Sequence, residues 1–272
     1  MAGRQVIVTT VFGSGANHLE KTFTSFRRIP DTELHVFIYG EELPATQLPG
    51  LQYHLVKADP RYLSVRRDAL FRRWVWPDQL DAEFALVVDG TDVICLQDLP
   101  RFEKILRGAK VAAATEWGKP IRIRGQDYTS TYINAGITFW NLPASREIRQ
   151  EIARRGSAEY RGEYDDQTVI NEVLHTKHFD DLIILPSQYN WRASYRKNQR
   201  VGIPPVRFWP RRDCLDGVYL YHNAGCLDEV LRDISVKAPL PRAALPESAP
   251  DVHPLSDGQK LRRKLEHRWH HT

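Results

Sequence analysis

The sequence predicts an α/β domain built on a mixed, mostly parallel sheet flanked by helices. Three observations predict it. Short apolar runs of strand length recur along the chain. Segments with helical spacing stand between them, an alternation that suits a sheet covered on both faces. One apolar run, Leu86-Val87-Val88, ends abruptly in Asp89-Gly90-Thr91-Asp92. That places carboxylates at the carboxyl end of a strand, where open α/β sheets bind ligands.

The elements follow in order. Val6 to Val11 is a buried strand, and Phe12-Gly13-Ser14-Gly15 turns the chain. Asn17 can cap a helix running to about Phe26. Leu34 to Tyr39 is a second strand, closed by Gly40, and Leu51 to Val56 is a third. Leu63 to Trp76 has helical periodicity, and Phe84 to Val88 is the strand before the acids. Val111 to Thr115 and Ile133 to Trp140 are further strands. Helices are expected over Ser145 to Arg155 and Asp166 to Leu174, with late strands at Leu182 to Leu185 and Val218 to Tyr221. One domain is expected over 1–235. Residues 236–272 read as a proline-rich linker and a basic tail, in which Leu261, Leu265 and Trp269 recur at helical spacing. The tail suits either a solvated terminus or an amphipathic contact with an anionic membrane surface.

Composition excludes several classes. The 272 residues are 42% hydrophobic and 26% charged, an ordinary balance for a packed core. Of the net charge of +4, five cations against two acids from Asp257 onward carry +3. The body therefore has no electrostatic signature for nucleic acid. Cys95, Cys214 and Cys226 match no zinc spacing and form no even framework. With no signal-peptide pattern and no uncharged run able to span a bilayer, the expectation is a soluble, cytoplasmic protein.

Chemistry concentrates in a few places. Asp89 and Asp92 stand three positions apart with Gly90 between them. Paired carboxylates repel unless a cation or proton intervenes. Hard oxygen donors suit Mg²⁺ or Mn²⁺, which share their coordination with substrate phosphates. The plainer alternative is a solvated Asp-Gly turn. In the preceding helix Leu63, Leu70, Phe71 and Trp74 form an apolar stripe that includes Arg67. A cation there needs Asp89, Asp92 or a phosphate as partner, unless it snorkels to water. Arg73 is a second candidate. Asn134 and Gly136 are unusual strand residues, fit either for close approach of a ligand or for a bulge. Asp165 or Asp166 can cap the next helix. An acid there, with Gln167, can also sit beside a reacting centre. His222, at a strand end before Asn223-Ala224-Gly225, can present a ring nitrogen to a metal or simply be a hydrogen-bonded core residue.

Taken together, the order of these features resembles the GT-A fold nucleotide-sugar glycosyltransferases, and most nearly glycosyltransferase family 8. The resemblance rests on Val88-Asp89-Gly90-Thr91-Asp92-Val93, Ile133-Asn134-Ala135-Gly136, Asp165-Asp166-Gln167-Thr168 and Tyr221-His222-Asn223-Ala224-Gly225, and covers roughly residues 4 to 230. Two features depart from family 8. Two residues separate the aspartates where one is usual, a spacing that resembles the glycosyltransferase domains of collagen-modifying enzymes. Cys226-Leu227-Asp228 stands where Lys-Pro-Trp is common.

The resemblance implies a metal-dependent transferase, moving a sugar from a nucleotide diphosphate donor, a UDP-sugar, to an acceptor hydroxyl with retention. It puts Mn²⁺ or Mg²⁺ among Asp89, Asp92 and His222, with Asp92 and His222 as the direct ligands and Asp89 on the ion, on a metal-bound water or on the ribose. It gives Thr9, Thr10, Val11 and Phe12 to the nucleotide base and ribose, with Tyr39 as a stacking partner. Asp89 and Gly90 serve the ribose side, Arg67 and Arg73 the phosphates, and Gly225 the pyrophosphate turn. Asn134 and Asp166 read the sugar, Gly136 lets the donor approach the backbone closely, and Gln167 lies near the anomeric carbon. A nucleotidyltransferase and a non-catalytic nucleotide-sugar-binding module are the rival readings. Phe12-Gly13-Ser14-Gly15-Ala16 lacks the cations that the first rival normally carries.

Overall fold

Strand β1 (Gln5–Phe12) runs through the middle of a seven-stranded sheet. The computed structural model describes residues 3–12, 19, 23–90, 93–115, 122–123, 126–127, 131–158, 166–192 and 217–222. The sheet order is β10-β6-β9-β4-β1-β2-β3. Its other members are β2 (Thr32–Tyr39), β3 (Leu51–Val56), β4 (Phe84–Asp89), β6 (Val111–Thr115), β9 (Ile133–Asn141) and β10 (Leu182–Leu185). Pairing is parallel except where β9 meets β4 and β6. The chain lays β2 and β3 to one side of β1, then returns to place β4 on the other side. The carboxyl ends of β1 and β4 thus flank a reversal of strand order, the usual place for a ligand crevice. A second sheet, β11-β12-β5, joins Trp191–Arg192, Leu220–His222 and Val93–Cys95. Arg122–Ile123 and Gln126–Asp127 form a two-stranded ribbon, β7 and β8.

Alternation along the strands divides the core in two. Ile7, Val36, Leu86 and Phe139 face one side, with Phe23, Phe26 and helix α2 (Phe102–Leu106). Val6, Val8, Phe37, Ala85 and Val87 face the other, under α1 (Val65–Arg72), α3 (Leu142–Ala158) and α4 (Asp166–Lys177). In β9 the alternation slips. Ile133 and Ala135 face the helices α1, α3 and α4, whereas Ile137 and Phe139 face α2. The pairing with β6 slips at the same place: Thr115 meets Ile133, but Ala113 meets Thr138. Five residues of β9 thus span what two of β6 span, and Asn134 to Gly136 lie within the bulged stretch. The bulge expected there is present.

Several elements differ from expectation. The region 63–76 is not one helix. Leu63 has φ 66° and is 77% exposed, outside the apolar stripe assigned to it. Ser64 accepts the Arg67 N–H at 3.1 Å, so α1 starts after it. The helix ends by Arg72, and a 3₁₀ turn at Trp76–Gln79 follows, in which Pro77 has no N–H to continue an α-helical ladder. Phe23–Arg28 is a 3₁₀ helix, and the proposed cap at Asn17 lies outside the described residues. The strands β5, β7, β8 and β11 and helix α2 were not expected. They are too short to leave a periodic signal. The tail 236–272 lies outside the described residues. Among the described residues no helix is long and apolar enough to cross a membrane.

A buried arginine braces the helical layer, and a buried histidine sits in the sheet. Arg149 of α3 is fully buried. It donates to Trp74 O at 2.8 Å, Leu142 O at 2.7 Å, Asp78 Oδ1 at 2.6 Å and Ser145 Oγ at 3.1 Å. Breaking a buried pair leaves a buried charge and acceptors uncompensated, so Arg149→Met should destabilise the protein by about 3–5 kcal/mol in urea unfolding. On β2, His35 Nδ1 lies 2.9 Å from His54 Nε2, and His35 Nε2 lies 3.4 Å from Glu33. Burial, then the His54 ring, push His35 from the ordinary 6.5 down to about 4. Between those values the unfolded chain binds the proton that the folded chain refuses, so stability falls as pH drops from 6.5 towards 4. Urea midpoints over that range should fall less steeply in His35→Phe than in the wild type.

Candidate functional site

Asp89 is the last residue of β4 and points to the helical side of the sheet, in phase with Ala85 and Val87. Arg73, just past the end of α1, is buried and reaches it. Its Nη1 donates to Asp89 Oδ1. Its Nη2 donates to Ala135 O of β9 and lies near Asp166 Oδ2 of α4, both at 2.7 Å. The guanidinium also lies over the Trp74 ring at 4.5 Å. One cation therefore holds two acids from separate elements. Arg67, which the apolar stripe singled out, serves elsewhere. It donates to Gly156 O at 2.9 Å and lies over Phe71 at 5.2 Å. The reason is the helix end: with α1 stopping at Arg72, the chain turns Arg73 rather than Arg67 towards β4.

His222 arrives from the opposite direction. It closes β12 and pairs with Val93 of β5, the residue that follows Asp92 in sequence. Its Nε2 lies 3.7 Å from Asp89 Oδ2. Gly136 makes room for this meeting. A Cβ on Gly136 would overlap Asp89 Oδ2 and fall 2.7 Å from His222 Cε1. Gly90 is equally constrained, since its Cβ would overlap the Thr9 hydroxyl.

A chain of amides runs on from the histidine. His222 Nδ1 is 3.0 Å from Asn190 Oδ1, and Asn190 Nδ2 donates to Asn134 Oδ1 at 2.9 Å. Asn134 Nδ2 donates to Gln167 Oε1 at 3.0 Å. The backbone N–H groups of Gly136 and Ala135 donate to Asn134 Oδ1 and Gln167 Oε1, at 3.0 and 3.1 Å. Gln167 Oε1 thus accepts two hydrogen bonds. Asn171 secures α4 against β9. It pairs with both backbone groups of Ile133, at 2.7 and 2.8 Å. Sequence reading missed Asn171 and Asn190. An Asn four residues after Gln167 on the same helix face was the available signal for the first.

Other expected positions lie differently. The Thr9 and Val11 side chains are buried on the α2 side of the sheet, and Thr9 donates to Val88 O at 3.0 Å. They brace β1 and are not placed for side-chain contact with a base. Thr10, bonded to Ala69 O at 3.3 Å, and the exposed Phe12 lie nearer the surface. Tyr39 is a correction of the same kind. Its hydroxyl donates to the buried Asp68 at 3.1 Å and accepts from Trp76 at 3.1 Å, and its ring packs in the core. Burial, then Asp68, raise its pKa. Asp92 and Gly225 lie outside the described residues.

Asp89 and His222 supply one carboxylate oxygen and one imidazole nitrogen to a common point. This mixed donor pair, with Gly136 keeping the space open, suits a divalent ion such as Mn²⁺. Among the described residues no set of three or more His, Cys, Asp or Glu gathers around one point.

No protein-family model matches the sequence, and no curated protein matches it. Solved structures do match the fold. The galactosyltransferase LgtC, crystallised with donor and acceptor sugar analogues, superposes with a TM-score of 0.56 at 15% identity. The match covers 88% of this chain and 98% of LgtC. The glycosyltransferase GlyE of Streptococcus pneumoniae TIGR4 superposes with a TM-score of 0.60 at 19% identity. That match covers 88% of this chain and 61% of GlyE, so the chain spans under two thirds of the GlyE length. The fold is therefore GT-A, a mostly parallel mixed sheet flanked by helices.

The ion-pair geometry has a measurable consequence. Arg73→Met leaves Asp89 and Asp166 without their shared cation, and a destabilisation of about 3 kcal/mol or more should appear in urea unfolding.

Proposed function

We propose that the protein is a metal-dependent glycosyltransferase that moves a sugar from a nucleotide diphosphate donor, a UDP-sugar, to an acceptor hydroxyl with retention. The observation that carries this reading is the meeting of Asp89 and His222. They are far apart in sequence, yet Nε2 and Oδ2 lie 3.7 Å apart at the crevice of a GT-A fold. Asp92, next to the Val93 that pairs with His222, is the third expected donor. These residues would hold Mn²⁺ or Mg²⁺, which when bound supplies Lewis-acid neutralisation of a departing diphosphate.

The chain's own groups do the rest. Arg73 holds Asp89 so that one of its oxygens faces His222, and holds Asp166 at the start of α4. Asp166 and Asn134 read sugar hydroxyls from the far side of the same ion-pair and amide network. The Gln167 NH₂ stands beside them as a donor towards charge developing near the anomeric carbon. LgtC was crystallised with donor and acceptor sugar analogues, which supports a sugar donor and a sugar-bearing acceptor for this crevice too. The likeness to family 8 is what supports retention. The acceptor is a hydroxyl compound. The basic tail remains a candidate contact with an anionic membrane, and no nucleic-acid partner is proposed.

The test is a panel of sugar nucleotides with and without Mn²⁺. One donor should raise the melting temperature only with metal present. With that donor, nucleoside diphosphate should be released on transfer. Asp92→Ala and His222→Ala should each lower turnover by at least about a hundredfold while melting cooperatively. Release of pyrophosphate would instead identify a nucleotidyltransferase, and binding without turnover a non-catalytic module.

A further inference from the structure

We infer that Asn190 is a positioning residue that selects the tautomer of His222, presenting the Nε2 lone pair to the crevice, and couples that ring to the amides of Asn134 and Gln167. The inference builds on the proposed function, in which Asp89 and His222 hold a divalent ion.

Two backbone N–H groups, those of Ala135 and Gly136, fix the amide orientations. The backbone N–H of Gly136 can only donate, so the Asn134 atom 3.0 Å from it is the oxygen. The Ala135 N–H likewise assigns Gln167 Oε1 at 3.1 Å, and Asn134 Nδ2 donates to that same oxygen. Both backbone donors lie in the bulged stretch of β9, where its pairing with β6 slips. An oxygen at Asn134 Oδ1 requires a donor from Asn190, 2.9 Å away, which is therefore its NH₂. The other end of Asn190 is then an acceptor, 3.0 Å from His222 Nδ1. A neutral imidazole carries one N–H, and this acceptor draws it to Nδ1. The lone pair falls on Nε2, the nitrogen 3.7 Å from Asp89 Oδ2. Two backbone amides thus dictate the proton position on a ring three side chains away.

Asn190 is suited to the task. It is fully buried, as are most of the groups it touches. It follows the short 3₁₀ turn Ser187–Tyr189, its own N–H donating to Ser187 O at 2.9 Å. The next residue, Trp191, enters β11 and pairs with Tyr221, the neighbour of His222. The strand that begins just after Asn190 thus lies beside the strand that ends in His222, and the Asn190 side chain reaches the ring from there. Groups that orient a metal-binding histidine through its other nitrogen typically change metal affinity 10–100-fold when removed.

The experiment has two independent readouts. Long-range ¹H–¹⁵N spectra of the imidazole, without metal at roughly pH 8.5, above the ordinary histidine range, report the tautomer directly. His222→Gln assigns the signal. The wild type should show the Nδ1–H form and Asn190→Ala a mixture or the Nε2–H form. A wild-type Nε2–H pattern overturns the inference whatever the metal does. The second readout is free Mn²⁺ by electron paramagnetic resonance in the presence of UDP. Asn190→Ala should weaken Mn²⁺ binding about 10–100-fold. Asn190→Asp, which still accepts from Nδ1 but no longer donates to Asn134 Oδ1, should weaken it less than Asn190→Ala does. In a His222→Ala background Asn190→Ala should cause no further weakening, because it acts through the ring. Equal weakening in both backgrounds, or none in either, overturns the positioning role. If His222→Ala leaves Mn²⁺ affinity unchanged, the metal reading of the crevice falls, and the tautomer spectra still decide the role of Asn190. Should Asn190→Ala fail to fold, Asn190→Asp compared with Asn190→Leu carries both readouts.

Discussion

The crevice is organised around the guanidinium of Arg73. A buried cation is costly unless opposite charge and hydrogen bonds compensate it. Here Asp89, Asp166 and the Ala135 carbonyl supply them from a strand end, a helix start and a strand bulge. The dependence runs both ways. Two carboxylates this close would repel without the shared cation. With it, Asp89 has one oxygen committed and the other turned to His222. The position of each acid is thereby a property of the fold rather than of side-chain choice.

Around that pin, structural irregularity does the positioning. A regular β9 would keep its alternation and its pairing with β6 throughout. The slip between Ala135 and Ile137 instead turns two consecutive N–H groups towards side-chain amides. Gly136, without a Cβ, then lets Asp89 and His222 close to within a few ångströms of each other. On the far side, the small sheet of β11, β12 and β5 delivers His222 by register, pairing it with Val93 just beyond the acidic turn. The parallel sheet supplies the crevice, and the departures from regularity furnish it.

Much of this was legible in the residues. Each predicted strand of the main sheet lies within two residues of its observed bounds, because buried strands are continuous apolar runs and need no knowledge of their partners. The ordering of Asp89, Asn134, Asp166 with Gln167, and His222 pointed to one crevice. The structure brings these residues together through amide hydrogen bonds, the ion pairs of Arg73 and a 3.7 Å approach of His222 to Asp89. What was misread were polar and aromatic side chains whose sequence context suggested exposure to a ligand. Tyr39 ends a strand at the right edge, yet Asp68 and Trp76 take its hydroxyl into the core.

Periodicity and residue chemistry alone determined the fold class, the strand runs and the place where acids meet a strand end, since these depend on local pattern. Only the tertiary structure decided which arginine faces the acids, that Asn171 and Asn190 carry structural hydrogen bonds, and that Arg149 braces the helical layer. The physical reason is range. An apolar residue is buried by any core, whereas a polar one is buried only against a particular partner. For these side chains the partner is brought near by the path of the whole chain.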